Sequence, residues 1–150
     1  MIRRSSLVAL PTLLFAILIS SAIKAEEYAV ISMNSEIHQL KSIQVKMLYR
    51  GKIDRIGDHH IKLLDLPPKS DLRKRFYLSL LNKTPSQMQS IWAKQSFSGR
   101  AYVPFQLQSE DLESVLTWLR STPTGIAYYP LEQLPIDVKI LYIIKIKEEL

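Results

Sequence analysis

The sequence contains no cysteine. That excludes disulfide staples, thiolate metal sites and an N-terminal cysteine carrying lipid, so stability has to come from packing. A long membrane span is lacking as well. The main apolar run, Leu7 to Ile19, holds about 13 residues where a helix needs roughly 20 to cross a bilayer. There is no Gly-x-Ser-x-Gly elbow, no Cys/His pair and no metalloprotease His-Glu motif, which leaves an enzyme reading without a nucleophile or a metal. Internal repeats, low-complexity tracts and interdomain linkers are missing too, and no cofactor motif is present.

What is there begins with MIRRSSLVALPTLLFAILISSAIKA. Arg3 and Arg4 form a basic start, an apolar stretch follows, and small residues lead to Ala22 and Ala25. This pattern predicts a cleaved secretory signal over residues 1–25 and one domain over 26–150. A cysteine-free exported chain fits a bacterial periplasm. The whole chain carries 20 basic and 14 acidic residues; without Arg3, Arg4 and Lys24 the basic count is 17, an excess of three. So small a surplus gives no reason to expect nucleic acid as a partner. About 125 remaining residues suffice for one modest core.

Hydrophobic spacing in the remainder alternates between strand and helix. YAVISM (28–33) reads as a buried strand. Ser42 is placed to cap a short helix whose apolar face is Ile43, Met47 and Leu48, closed by Gly51. A turn-like stretch with a tight turn at Gly57-Asp58 leads to a second strand, IKLLDL (61–66), halted by Pro67-Pro68. Ser70 opens a helix ending at Asn82, with Leu72, Phe76 and Leu80 inward and Arg73, Lys74 and Arg75 outward. Thr84-Pro85-Ser86-Gln87 carries a capping box for the next helix, whose inner face is Met88, Ile91 and Trp92. After a loop over 97–105, Ser109 is read as the cap of a helix bearing Leu112, Val115, Leu116 and Leu119. GIAYY (125–129) and VKILYIIKIK (138–147) read as strands, the latter alternating with period two. The pattern predicts an α/β fold: a single layered domain with a central, mostly parallel or mixed sheet and about four flanking helices.

Few side chains point to chemistry. His59-His60 invites a metal, but strand neighbours face opposite ways and Asp54, Asp58 and Asp65 supply no recognised ligand spacing. Free N–H groups at the start of the 70–81 helix favour an anion, with Lys69 beside them. Asp71 in the first turn suits the helix dipole and makes plain capping the competing explanation. Ser98-Gly99-Arg100 combines a hydroxyl, a glycine loop and a guanidinium, a set that can cradle an oxyanion or simply form a surface loop. Trp92, Trp118, Phe97, Tyr102 and Phe105 are core candidates; an exposed group of Tyr102, Phe105 and Tyr128/Tyr129 would instead mark a partner surface.

In order, VISMN, LYRGKI, IKLLDLPPKSDLRKRFYLSLL, IWAKQSFSGR and STPTGIAYYP resemble the phosphate ABC transporter substrate-binding family, of the type 2 periplasmic-binding-protein fold, and its short single-domain members in particular. The likeness runs over residues 28–141. It implies one lobe of such a fold, a periplasmic location and a phosphate or other small oxyanion held near Lys69, Ser70, Asp71, Ser98, Gly99 and Arg100. The chain departs from the family at the ligand segment. Full-length phosphate binders show Arg, three residues, then Ser-Gly-Thr; here Ser70 keeps the Ser, while Leu66 stands for Arg, Asp71 for Gly and Leu72 for Thr. Losing the Arg removes a charge-assisted partner worth roughly 1.5–3 kcal/mol, and Asp71 repels the anion. Two expectations therefore stand side by side. One is oxyanion binding, possible association with phosphate transport included. The other is a periplasmic interaction or sensory module that keeps the fold, has lost the ligand and engages a periplasmic or membrane protein.

Overall fold

A computed structural model of the chain describes residues 26–99 and 103–145. The expected secretory signal lies outside the described residues, and so do Arg100 and Tyr102. Among the described residues no helix is long and apolar enough to cross a membrane.

Among the described residues, seven strands and four α-helices form one α/β domain. The elements are β1 (Tyr28–Ser32), α1 (Ser42–Tyr49), β2 (Arg55–Ile56), β3 (His59–His60), β4 (Lys62–Asp65), α2 (Asp71–Leu81), α3 (Pro85–Phe97), β5 (Phe105–Gln106), α4 (Leu112–Ser121), β6 (Gly125–Pro130) and β7 (Lys139–Ile144). The main sheet runs in the order β5-β4-β6-β1-β7, with a separate two-stranded ribbon of β2 and β3. β4 is parallel to both β5 and β6, whereas β1 is antiparallel to β6 and β7. The sheet is thus mixed. Every residue of β1 and of β6 is buried, so the middle of the sheet is covered on both faces.

Local chemistry explains most boundaries. Thr84 accepts from the Gln87 N–H at 3.2 Å while Gln87 Oε1 accepts from the Thr84 N–H at 2.9 Å, the reciprocal box that starts α3. Asn82 takes the left-handed conformation, φ 52°, that ends α2. Gly57 and Asp58 turn the β2-β3 ribbon, with Gly57 at φ 56°.

Several expectations are corrected. The α1 cap is Lys41, and Val45, Leu48 and Tyr49 are its buried residues while Ile43 is exposed. The α4 cap is Asp111, whose carboxylate accepts from the Ser114 N–H at 2.8 Å; Ser109 serves that carboxylate instead of the helix. β5 begins at Phe105, the last residue of the expected loop over 97–105, where no strand is expected from the sequence. β7 loses its period of two because its register against β1 shifts between Val30 and Ile31: Tyr142 faces Val30 but Ile140 faces Ile31, so Leu141 is the extra residue of a bulge and is buried. Phe97 is 94% exposed rather than core, and Tyr128 and Tyr129 are buried rather than part of a surface cluster.

Candidate functional site

The parallel strands β4, β5 and β6 deliver their carboxyl ends to one edge of the sheet, and α2 begins there. This is the place where α/β sheets hold ligands. Pro67 and Pro68 stop β4, the Ser70 N–H donates to the Pro67 carbonyl at 2.9 Å, and Ser70 becomes the cap of α2. Its hydroxyl oxygen accepts from the Arg73 N–H at 3.1 Å. One of the four N–H groups that a helix start leaves open is thereby satisfied internally. Ser70 itself is buried, while Lys69 and Asp71 on either side are exposed.

The centre of this end is a carboxylate. Asp65, the last residue of β4, is 3% exposed and accepts hydrogen bonds from three directions. Its Oδ1 receives the Tyr128 hydroxyl at 2.6 Å and the Leu66 N–H at 2.9 Å, and its Oδ2 receives Arg73 Nε at 2.9 Å. Arg73, expected on the outer face of its helix with Lys74 and Arg75, is only 6% exposed. It turns inward because a buried carboxylate demands a charged partner. Burial pulls the guanidinium towards its neutral form, and the Asp65 charge and hydrogen bond outweigh that pull and hold its pKa above the ordinary value. The Tyr77 ring lies 5.4 Å from the guanidinium carbon.

Aromatic rings wall the pair. Phe76 stacks on Tyr128 at 3.5 Å between centroids, and Tyr49 meets Phe76 edge-on at 4.9 Å. Burial first, and the Asp65 charge second, push the Tyr49, Tyr77 and Tyr128 hydroxyls well above their ordinary pKa. Tyr128 spends its proton on Asp65. Among the described residues the Tyr49 and Tyr77 hydroxyls have no hydrogen-bond partner.

The candidates from sequence therefore separate. Lys69, Ser70 and Asp71 lie together at the start of α2. Ser98 and Gly99 lie at the far end of α3, where Ser98 is the C-terminal cap, its hydroxyl donates to the Gln95 carbonyl at 2.9 Å, and Gly99 adopts φ 65°. A helix C-terminus presents carbonyls and negative dipole, which disfavours an anion. Arg100 lies outside the described residues. Leu66, standing in the family's Arg place, is buried and contributes its backbone N–H to Asp65. Asp65 and Arg73 carry the charge of this site, and a signal for them exists: an acid closing an apolar strand, followed eight residues later by an Arg in the first turn of a helix.

His59 and His60 each lie beside a carboxylate, His60 Nε2 at 3.1 Å from Asp54 Oδ2 and His59 Nε2 at 3.8 Å from Glu36 Oε2. No metal-sized group of His, Cys, Asp or Glu occurs among the described residues.

No protein-family model matches the chain, and no curated protein matches it. Solved structures do. An ABC-type phosphate transport receptor from Vibrio cholerae superposes with a TM-score of 0.58 at 13% identity, over 77% of this chain and 45% of the receptor. A protein described as a phosphate ABC transporter substrate-binding protein from Clostridium perfringens, solved with bound phosphate, gives a TM-score of 0.58 at 17% identity, over 77% of this chain and 44% of that one. Both neighbours are binding components of transport systems rather than enzymes. The chain spans less than half the length of either, and at these identities the likeness establishes the fold: one α/β domain matching part of a phosphate-type substrate-binding protein.

Proposed function

We propose that this chain is an exported, periplasmic domain of substrate-binding-protein type that has given up capture of phosphate and works by engaging a protein partner, a membrane sensor or transport component. The observation that carries this reading is the Asp65 carboxylate. It sits at the carboxyl ends of the parallel strands, beside the start of α2, and already receives a guanidinium, a hydroxyl and a backbone N–H. A dianion brought there meets a resident negative charge and an Arg whose charge is committed. Asp71, exposed in the first turn, adds a second carboxylate.

A second reading is favoured by the phosphate bound in the Clostridium neighbour. In it, phosphate or another small oxyanion binds weakly at the solvent-facing mouth of the same site, on Lys69, Ser70 and the N–H groups flanking Asp71.

Calorimetric titration with phosphate and sulfate, run beside in-cell cross-linking in the envelope, separates the readings. The first expects no saturable heat and one reproducible cross-linked membrane partner. Clear anion binding with no cross-linked partner would sink it.

A further inference from the structure

Away from the site described above, an apolar groove of about 570 Å³ opens at the other end of β4. β5 pairs with β4 only at Leu64 and Asp65, which leaves the β4 edge at Lys62 and Leu63 uncovered by β5. Leu48, Ile61 and Leu63 line it from the core side, and Trp92, Trp118 and Phe105 supply aromatic walls, with the Phe105 and Trp118 rings 6.0 Å apart and 19° from parallel. The volume falls within the roughly 300–1,000 Å³ of sites that take small organic molecules. Phe105 and Val103, also on the lining, are more than half exposed, an apolar surface that water covers at a cost.

Charge on the lining decides the occupant. Asp54 is engaged by His60, whose Nε2 lies 3.1 Å from the Asp54 Oδ2. Lys62, exposed and also on the lining, takes part in none of the ion pairs among the described residues. An unneutralised ammonium beside an aromatic trough complements a molecule with an apolar body and one negative end. We propose that this groove binds an amphipathic monocarboxylate, a medium-chain fatty acid, its chain laid between Trp92, Trp118 and Phe105 and its carboxylate on Lys62. The site is separate from the carboxyl ends of the strands and independent of whether phosphate binds there.

Both tryptophans of the chain line the groove, so intrinsic fluorescence reports on it directly. The experiment titrates the purified protein with decanoate, decanol and acetate, kept below micelle-forming concentrations, and repeats the decanoate titration on Lys62→Glu and Lys62→Met. The expected result is a saturable change with decanoate, weakened roughly tenfold or more by Lys62→Glu and less by Lys62→Met, with decanol weaker and acetate silent. Lys62 is exposed, so these variants keep the fold, which far-UV circular dichroism verifies. No saturable change with decanoate, decanol equal to decanoate, or indifference to Lys62→Glu would each overturn the proposal.

Discussion

Arg73 Nε lies 2.9 Å from Asp65 Oδ2, and both side chains are shut away from water. A pair of this kind gives little net stability when intact, because desolvating two charges offsets most of their attraction. Breaking it is another matter. Arg73→Ala leaves Asp65 buried and unpaired and is expected to cost about 3–5 kcal/mol in urea unfolding. Its exposed helix neighbour Lys74→Ala is expected to stay within about 0.5 kcal/mol. Equal effects from the two would mean that Arg73 is solvated and the description of the site is wrong.

Three tyrosines surround Asp65, and only one is hydrogen-bonded to it. Tyr128→Phe deletes a donor to a buried carboxylate and should destabilise by about 1.5–3 kcal/mol. Tyr49→Phe and Tyr77→Phe remove hydroxyls that have no partner among the described residues, so they should be neutral or stabilising. Chemical denaturation of the three variants ranks them, and a costly Tyr49→Phe contradicts the arrangement.

The same hydroxyls set an alkaline limit. Their pKa values are raised in the folded state above the ordinary 10.0, so the neutral form is favoured by folding. That contribution is complete below pH 10.0, and it is lost as pH rises above it, because the unfolded chain ionises first. Tyrosinate absorbance followed with circular dichroism should show Tyr49, Tyr77 and Tyr128 ionising only together with unfolding. Smooth ionisation of all seven tyrosines in a folded protein would refute their burial.

At the acid end the sensitive group is Asp111. Hydrogen bonds from the Ser109 side chain, then from the Ser114 backbone and side chain, lower its pKa from 3.8 to about 2. A depressed carboxylate pKa means a contribution present above 3.8 and lost as pH falls through about 2. Asp111→Ala should therefore be less stable than the natural chain at neutral pH, and the gap should close on acidification. A gap that does not depend on pH would mean that the cap owes nothing to the charge.

Ser70 tests the start of α2. Its hydroxyl oxygen caps the helix, so Ser70→Ala should cost about 1 kcal/mol, with no dependence on added phosphate. A loss of stability seen only when phosphate is present would assign the hydroxyl to a ligand instead.

Much of this fold is legible in the sequence where a local rule acts alone. The Thr84-Gln87 box, the end of α2 at Asn82 and the buried run at Tyr28–Ser32 depend on neighbours in the chain, and they emerge where the residue types put them. What is illegible depends on distant partners. Arg73 sits in a charged run that helical spacing assigns to solvent; only the approach of Asp65 and Tyr128, the latter 63 residues from Asp65, turns it inward. Leu141 is buried because β7 bulges against β1, which no alternation within β7 can foretell. The start of α2 is legible as a capped helix whose open N–H groups favour an anion. That a buried Asp65 meets Tyr128 and Arg73 beside it requires the parallel placement of β4 and β6.

Phosphate titration of the natural protein by calorimetry tests that point most directly. With Asp65 already holding Arg73, Tyr128 and the Leu66 N–H, no saturable heat is expected up to about 1 mM phosphate. Saturable binding in the micromolar range, with Arg73 as a contact, would contradict the account.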